Sequence, residues 1–393
     1  GTILRREMDF ELTEEQKMLK ANVKDFLEKE ISPIVDERDR KGTLSQEEVI
    51  GFIKKLMPLG YYIGNLPQEY GGPGIDNKTV GILWEELGRV WVSLCGTVAM
   101  AAMTASILPL APEEVKKRFL PRILAGELIG PMAITEPNAG SNTSAMQTRA
   151  VLGGGEYIIN GTKTWISDAP IANVVNVISV VTDKSRNILG VAIILVEKEV
   201  SPFTTRELSH IGWRAMPTGE IAFEDCHVPK ENMLVDPTEG YKMMTNLLDI
   251  IRSDMALLSA GISQAAIDDS IKYACERTQF GRQIGSFQLI QNMIYEMIAE
   301  TEASRLLGYR ALDLLDKQRR CHMEVSLAKA YATEAAIRVT SKAIQIHGAM
   351  GLSEDYPVER YFRDARMLTI PDGATEIHKL IVGREALGIK AFV

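Results

Sequence analysis

Between Leu128 and about Pro237 the apolar residues stop recurring every three or four positions and fall into short β-branched runs. These read "GPMAI", "YIINGTKTWIS", "VVNVISVVT", "GVAIILVE" and "EIAFEDCHV", split by Gly, Asn and Asp, as strands of a compact β unit do. The flanking segments cannot belong to that unit. From "LTEEQKMLKANVKDFLEKEISP" to about Gly126, and again from Tyr241 onward, apolar residues return with helical spacing. The expected fold is therefore α+β, mainly α. It comprises an N-terminal helical domain over 1–127, a middle β-barrel or sandwich domain over 128–238 and a C-terminal four-helix bundle over 239–393. Locally, Thr13 followed by Glu15 and Gln16 predicts a capped helix start, and Pro33 predicts its stop or kink. The Asn160-Gly161 pair in "INGTK" predicts a hairpin turn, because both residues accept positive φ.

Charge narrows the function. With 44 basic against 52 acidic residues and a net charge of −8, no basic stripe is left for nucleic acid. The densest basic spot, "KQRRCH", reads as a solvated turn or helix face. The cysteines Cys95, Cys226, Cys275 and Cys321 are widely spaced and form no metal-type pairing, which points away from zinc and disulfides. No apolar run reaches the roughly 20 residues of a membrane span, and no leader is apparent, so a cytoplasmic location is expected. "MDFELTEEQ" reads as a native start, which would make the residues before Met8 foreign to the protein.

Several stretches could carry chemistry. In "MAITEPNAGSNTSAM", Gly140 and Ser141 form a tight polar loop whose backbone N–H groups either hold an anion such as a pyrophosphate or simply turn the chain. Beyond the "NGTK" turn stand Trp165, a flat plate for a flavin or adenine ring or else a core residue, and Ser167 on the same strand face. "RTQFGRQI" interrupts two long helices with Arg277 and Arg282, either clamping phosphates or capping helices. Gln345 precedes a small-residue turn at Gly348, where backbone can approach a ligand closely. The five histidines show no ligand spacing. Without GxGxxG, GxSxG, a P-loop or HExxH, a nicotinamide dehydrogenase, serine hydrolase, kinase-like enzyme or zincin is disfavoured.

Taken together, "AITEPNAGSNTSAMQTRA", "INGTKTWISDA", "GWRAMPTGEIAFEDCHVP", "ERTQFGRQIGSFQLIQ" and "QIHGAMGLSEDYPVERYFRDAR" resemble the acyl-CoA dehydrogenase family of flavoproteins. The resemblance runs in order along nearly the whole chain. It implies a homotetramer, FAD between the β domain and the C-terminal bundle, an acyl-CoA substrate and electron-transferring flavoprotein as the electron acceptor. It further implies that Thr135, Gly140 and Ser141 meet the flavin and its phosphates, that Trp165 lies beside the isoalloxazine and that Ser167 lies near flavin N5. Arg277 and Phe280, with Gln345 and Gly348, would reach the FAD of a neighbouring subunit. Asn142 departs from the pattern, since an aspartate is usual there.

In many members the segment equivalent to "IPDGATEI" carries a glutamate that removes the substrate α-proton, which makes Asp372 the expected base. Others place the base just before an arginine of the first bundle helix. Here that arginine is Arg252 and the residue before it is Ile251, which takes no proton. Ser141, Arg252, Gly373 and Cys95 are the expected substrate contacts. Aspartate reaches about 1.5 Å less than glutamate, so an α-substituted or alicyclic acyl group, such as cyclohexanecarboxyl-CoA, is expected. "SLCGTVAMAAMTASI", rich in small residues, either leaves width for such a group or allows close helix packing. Glutaryl-type members carry an arginine near Cys95, and none stands here. Straight-chain or glutaryl substrates, an oxidase and a non-catalytic flavin-binding scaffold are the alternatives.

Overall fold

A computed structural model describes residues 11–391; the stretch before Met8 lies outside the described residues. The N-terminal part is helical: α1 (Glu14–Glu30), α2 (Val35–Lys41), α3 (Gln46–Leu56), α4 (Asn77–Val90), α5 (Val92–Ala101), α6 (Met103–Ile107) and α7 (Glu113–Leu124). The first helix starts where its cap predicts. Thr13 accepts from the Gln16 N–H, the Gln16 side chain accepts from the Thr13 N–H, and Pro33 sits in the 3-10 turn that closes the helix. Among the described residues no single helix is long and apolar enough to cross a membrane.

The middle part is one mixed sheet of β1 (Met132–Ala133), β2 (Arg149–Gly153), β3 (Glu156–Ser167), β4 (Val174–Thr182), β5 (Ile188–Glu197), β6 (Thr204–Glu207), β7 (Thr218–Pro229) and β8 (Met233–Val235). The order is β6-β7-β3-β2-β4-β5-β8, with β1 running parallel to β4. Every residue of β4 is buried, as its unbroken apolar run requires of a strand covered on both faces. One expectation is corrected here: Asn160-Gly161 is not a hairpin turn. Strand β3 runs straight through it and bulges against β7, and the hairpin turn is Gly154-Gly155, both at positive φ. A Cβ on Gly161 would lie 2.5 Å from Thr148 Oγ1, so that glycine answers to a close approach within the sheet.

The C-terminal part is built on α8 (Gly240–Glu276), α9 (Gln288–Asp316) and α10 (His322–His347), with a small hairpin of β9 (Thr278–Gln279) and β10 (Arg282–Gln283) between the first two. The shorter α11 (Val358–Leu368) and α12 (Thr375–Leu387) pack along α10 and complete the bundle. "KQRRCH" forms the turn from α9 into α10. Helix α4 lies against α8 so closely that a Cβ on Gly261 would sit 2.2 Å from the Glu85 carbonyl oxygen. Gly261→Leu should therefore force these helices apart and cost about 3 kcal/mol, read as a lowered denaturant midpoint; an unchanged midpoint would contradict this crossing.

Candidate active site

The turn between α11 and α12 carries Asp372. Helix α11 ends at Leu368, Pro371 cannot continue it, and α12 begins at Thr375, leaving Asp372 (φ +56°) and Gly373 (φ +105°) in left-handed backbone. Three helices grip this turn. Arg252 Nε of α8 donates to the Asp372 carbonyl at 2.8 Å, and Lys329 Nζ of α10 donates to the Gly373 carbonyl at 2.7 Å. His378 of α12 is fully buried beneath, with its Nε2 3.0 Å from where a Cβ on Gly373 would stand. Arg252 is in turn paired with Asp249 at 3.3 Å, and Asp249 also meets His322. Ile251, before Arg252, is apolar and packs against the core.

Burial sets the electrostatics. It raises the Asp372 carboxyl above its ordinary range, an effect that the Lys329 and Arg252 charges oppose. Burial also brings Lys329 down to about 8 and, together with the two cations, His378 down to about 3, so the imidazole is neutral at physiological pH. Among the described residues, the Asp372 N–H donates no hydrogen bond.

A second group gathers on β3. Trp165 takes φ +58° where the pairing with β7 slips, and stands 55 % exposed with Ser167 two residues further on. Thr135 is held beside them, since its carbonyl accepts from the Thr164 N–H at 2.9 Å. The next residue, Glu136, is buried and paired with the fully buried Lys163 at 2.9 Å; it also accepts from the N–H groups of Gln147 and Thr148 at 2.5 and 2.9 Å. The loop holding Gly140 and Ser141 is thereby tied at both ends to β3, while these two residues stay exposed. Sequence reasoning did not find the Glu136–Lys163 pair, although a lysine at an inward strand position was the available signal.

A third group lies at the ends of α8 and α10. Arg277 leads into the β9–β10 hairpin, Phe280 at its tip is 90 % exposed, and Gln345 and Gly348 close α10. His347 stacks on Tyr273 at 4.3 Å, which joins the two helix ends. Among the described residues no hydrogen bond or ion pair links this group to β3. Cys95 stands apart as well: it is buried in α5, and burial with nearby Asp254 pushes its thiol up. The space left by neighbouring Gly96 is filled by Met216 and Trp213.

Family models for the acyl-CoA dehydrogenase N-terminal, middle and C-terminal domains match residues 13–127, 131–226 and 238–387. The probable acyl-CoA dehydrogenase YngJ of Bacillus subtilis is 38 % identical over 97 % of this chain and 100 % of its own length. The glutaryl-CoA dehydrogenase of Desulfococcus multivorans is 36 % identical, covering 98 % and 99 %. The solved butyryl-CoA dehydrogenase from Megasphaera elsdenii superposes with a TM-score of 0.90 at 32 % identity, covering 97 % of this chain and 100 % of that one.

Because Lys163 neutralises a buried carboxylate and also donates to the Ile134 carbonyl at 2.8 Å, Lys163→Met should cost about 3 kcal/mol. The variant should also be cut faster by a nonspecific protease between residues 137 and 147, since the loop loses its anchor. Wild-type denaturation and wild-type proteolysis in Lys163→Met would show that the pair does not hold this loop.

Proposed function

This chain belongs to the acyl-CoA dehydrogenase family, an FAD-dependent oxidoreductase family, and from that premise we propose that it performs α,β-dehydrogenation of an alicyclic or α-substituted acyl-CoA, cyclohexanecarboxyl-CoA being representative, with Asp372 as the base. The residues on β3 fit the cofactor. An exposed tryptophan plate, a hydroxyl two residues away and an exposed Gly140-Ser141 loop match a flat ring system with a pyrophosphate tail. Bound FAD supplies the two-electron acceptor for the β-hydrogen.

The observation that carries the reading is the turn at Asp372: a carboxyl group with a raised pKa on a pinned backbone whose own N–H is free to donate. The α-proton of a thioester is weakly acidic. Its removal needs a base of raised basicity beside a donor for the developing enolate oxygen, and Asp372 offers the carboxyl and the N–H from one residue. Thr135, Ser141, Trp165 and Ser167 hold the cofactor side, while Arg252 and Gly373 orient the base. Exposed Arg277, Phe280, Gln345 and Gly348 face the FAD of a neighbouring subunit in a cytoplasmic homotetramer, and electrons leave to an electron-transferring flavoprotein. An aromatic ring as exposed as Phe280 fits such a contact.

The short reach of Asp372 favours a substrate whose α-carbon is brought closer by branching or a ring. A glutaryl substrate is disfavoured because the titratable neighbour of Cys95 is the buried carboxyl of Asp254 rather than a cation, and Arg252 is engaged with Asp249 and the Asp372 carbonyl. A straight chain remains the second reading, since the Trp213 and Met216 side chains at Gly96 take up part of the width that the small residues leave.

Two measurements test this. Asp372→Asn should slow flavin reduction by acyl-CoA at least about 100-fold, and a wild-type rate would remove Asp372 from the reaction. In steady-state turnover, cyclohexanecarboxyl-CoA should exceed butyryl-, isobutyryl- and glutaryl-CoA in kcat/KM. A straight chain ahead by more than about tenfold, a difference of about 1.4 kcal/mol, would refute the substrate assignment.

A further inference from the structure

The grip on the Asp372 turn is stronger than a surface turn requires. A peptide unit is planar, so fixing the carbonyls of Asp372 and Gly373 fixes the two peptide planes that flank Gly373, the first of which contains the Asp372 Cα from which the carboxyl hangs. Arg252 of α8 fixes the first carbonyl and Lys329 of α10 the second, at 2.8 and 2.7 Å. Neutral His378 closes the underside of Gly373.

Lys329 is the unexpected member. It is 0 % exposed in a helix whose surroundings are Val325, Ala328, Ala330, Ala332 and Thr333, all buried. A buried ammonium loses its hydration, so an apolar side chain would fill that place at lower cost if filling were all that was required. The groups around it come from three helices: Arg252 on α8, itself paired with Asp249, Glu334 on α10, and Glu376 and His378 on α12, besides Asp372 itself. We propose that Lys329 is a positioning residue for the base: by holding the Gly373 carbonyl from α10 while Arg252 holds the Asp372 carbonyl from α8, it fixes where Asp372 meets substrate. This rests on Asp372 being the base.

The charge of Lys329 adds a signature that packing alone lacks. Its ammonium opposes the burial that raises Asp372, and burial brings Lys329 itself down to about 8. Below that pH the lysine is charged and the turn is held by a charge-assisted bond. As pH rises through about 8 the charge is lost and the rate falls. At the acid end, activity is lost as Asp372 becomes protonated, and the limb lies above the ordinary aspartate range.

The test uses FAD-loaded enzyme and the pH dependence of kcat with cyclohexanecarboxyl-CoA, or with butyryl-CoA should that be the better substrate. Lys329→Met should lower kcat about 10- to 100-fold with KM within about threefold. It should also move the acid limb to higher pH and abolish the alkaline limb near pH 8. A wild-type rate, or a lower rate with both limbs in place, overturns the proposal, the latter because it describes a packing role. If Lys329→Met is not recovered with flavin, Lys329→Arg decides. A guanidinium keeps its charge throughout, so turnover should persist with the alkaline limb gone, and an alkaline limb still near pH 8 overturns the proposal. Asp372→Asn measured in parallel separates the two readings. If it reduces flavin at the wild-type rate, the base assignment fails; if it is inactive while the Lys329 variants keep the wild-type profile, only the role of Lys329 fails.

Discussion

Among the described residues two lysines are buried whole, and each ties a loop of the candidate site to the scaffold. Lys163 lies within β3 and holds the Glu136 carboxylate and the Ile134 carbonyl; Lys329 lies within α10 and holds the Gly373 carbonyl. A buried ammonium must find acceptors, because the water it has lost cannot be replaced by apolar neighbours. That demand is directional, and the acceptors it finds are backbone and carboxylate groups in segments without regular structure. The loop from Thr135 to Thr148 and the turn at Asp372 are thus each tied to the strand or helix that carries the lysine. The candidate site lies on loops, and those loops are anchored to the elements beneath them.

The division into helical, strand and helical parts was legible because periodicity follows from which faces are buried, and burial here follows the simple rule. The capped start at Thr13 was legible because a cap is a local event over four residues. Asn160-Gly161 misled for the complementary reason: an Asn-Gly pair permits positive φ without demanding a turn, and the β7 strand pairing across it decided the outcome. Trp165, Ser167 and Asp372 were singled out by the resemblance of the stretches that carry them to the acyl-CoA dehydrogenase family. What holds them was hidden. Lys329 stands in an alanine-rich helical pattern where a single charge reads as surface, and only its phase against Val325, Ala328 and Ala332 places it inside. His378 reads as an ordinary polar residue until the fold puts it under Gly373.

Helix α11 joins all three parts of the molecule. Arg360 pairs with Asp36 and Arg363 with Asp39, each at 3.0 Å, so two turns of α11 are fastened to α2 of the N-terminal part. Asp364, fully buried between them, accepts from the Trp213 N–H at 2.6 Å, and its carbonyl accepts from the Trp213 ring N–H at 3.1 Å, which fastens α11 to the loop before β7. Burial and the neighbouring Asp39 raise the Asp364 carboxyl to about 7, while the Trp213 N–H and the two arginines pull the other way. The Arg363–Asp39 pair and the Asp364–Trp213 bonds are largely buried, unlike the exposed pairs of α7, which add little.

The consequence is geometric. The ring of Trp213 packs on Gly96 of α5, and the residue that anchors Trp213, Asp364, lies eight positions before Asp372 in one helix and turn. Helix α5 and the Asp372 turn are therefore referred to the same segment. A helix end moved by a fraction of an ångström displaces Trp213 and the Asp372 turn together, whereas independent supports would let them drift apart. For Asp372 as the proposed base, one methylene shorter than glutamate, tolerance for such drift is small, because its carboxyl must be placed by the backbone. Fastening α11 to α2 and to the Trp213 loop, and then gripping its outgoing turn from α8, α10 and α12, places that backbone.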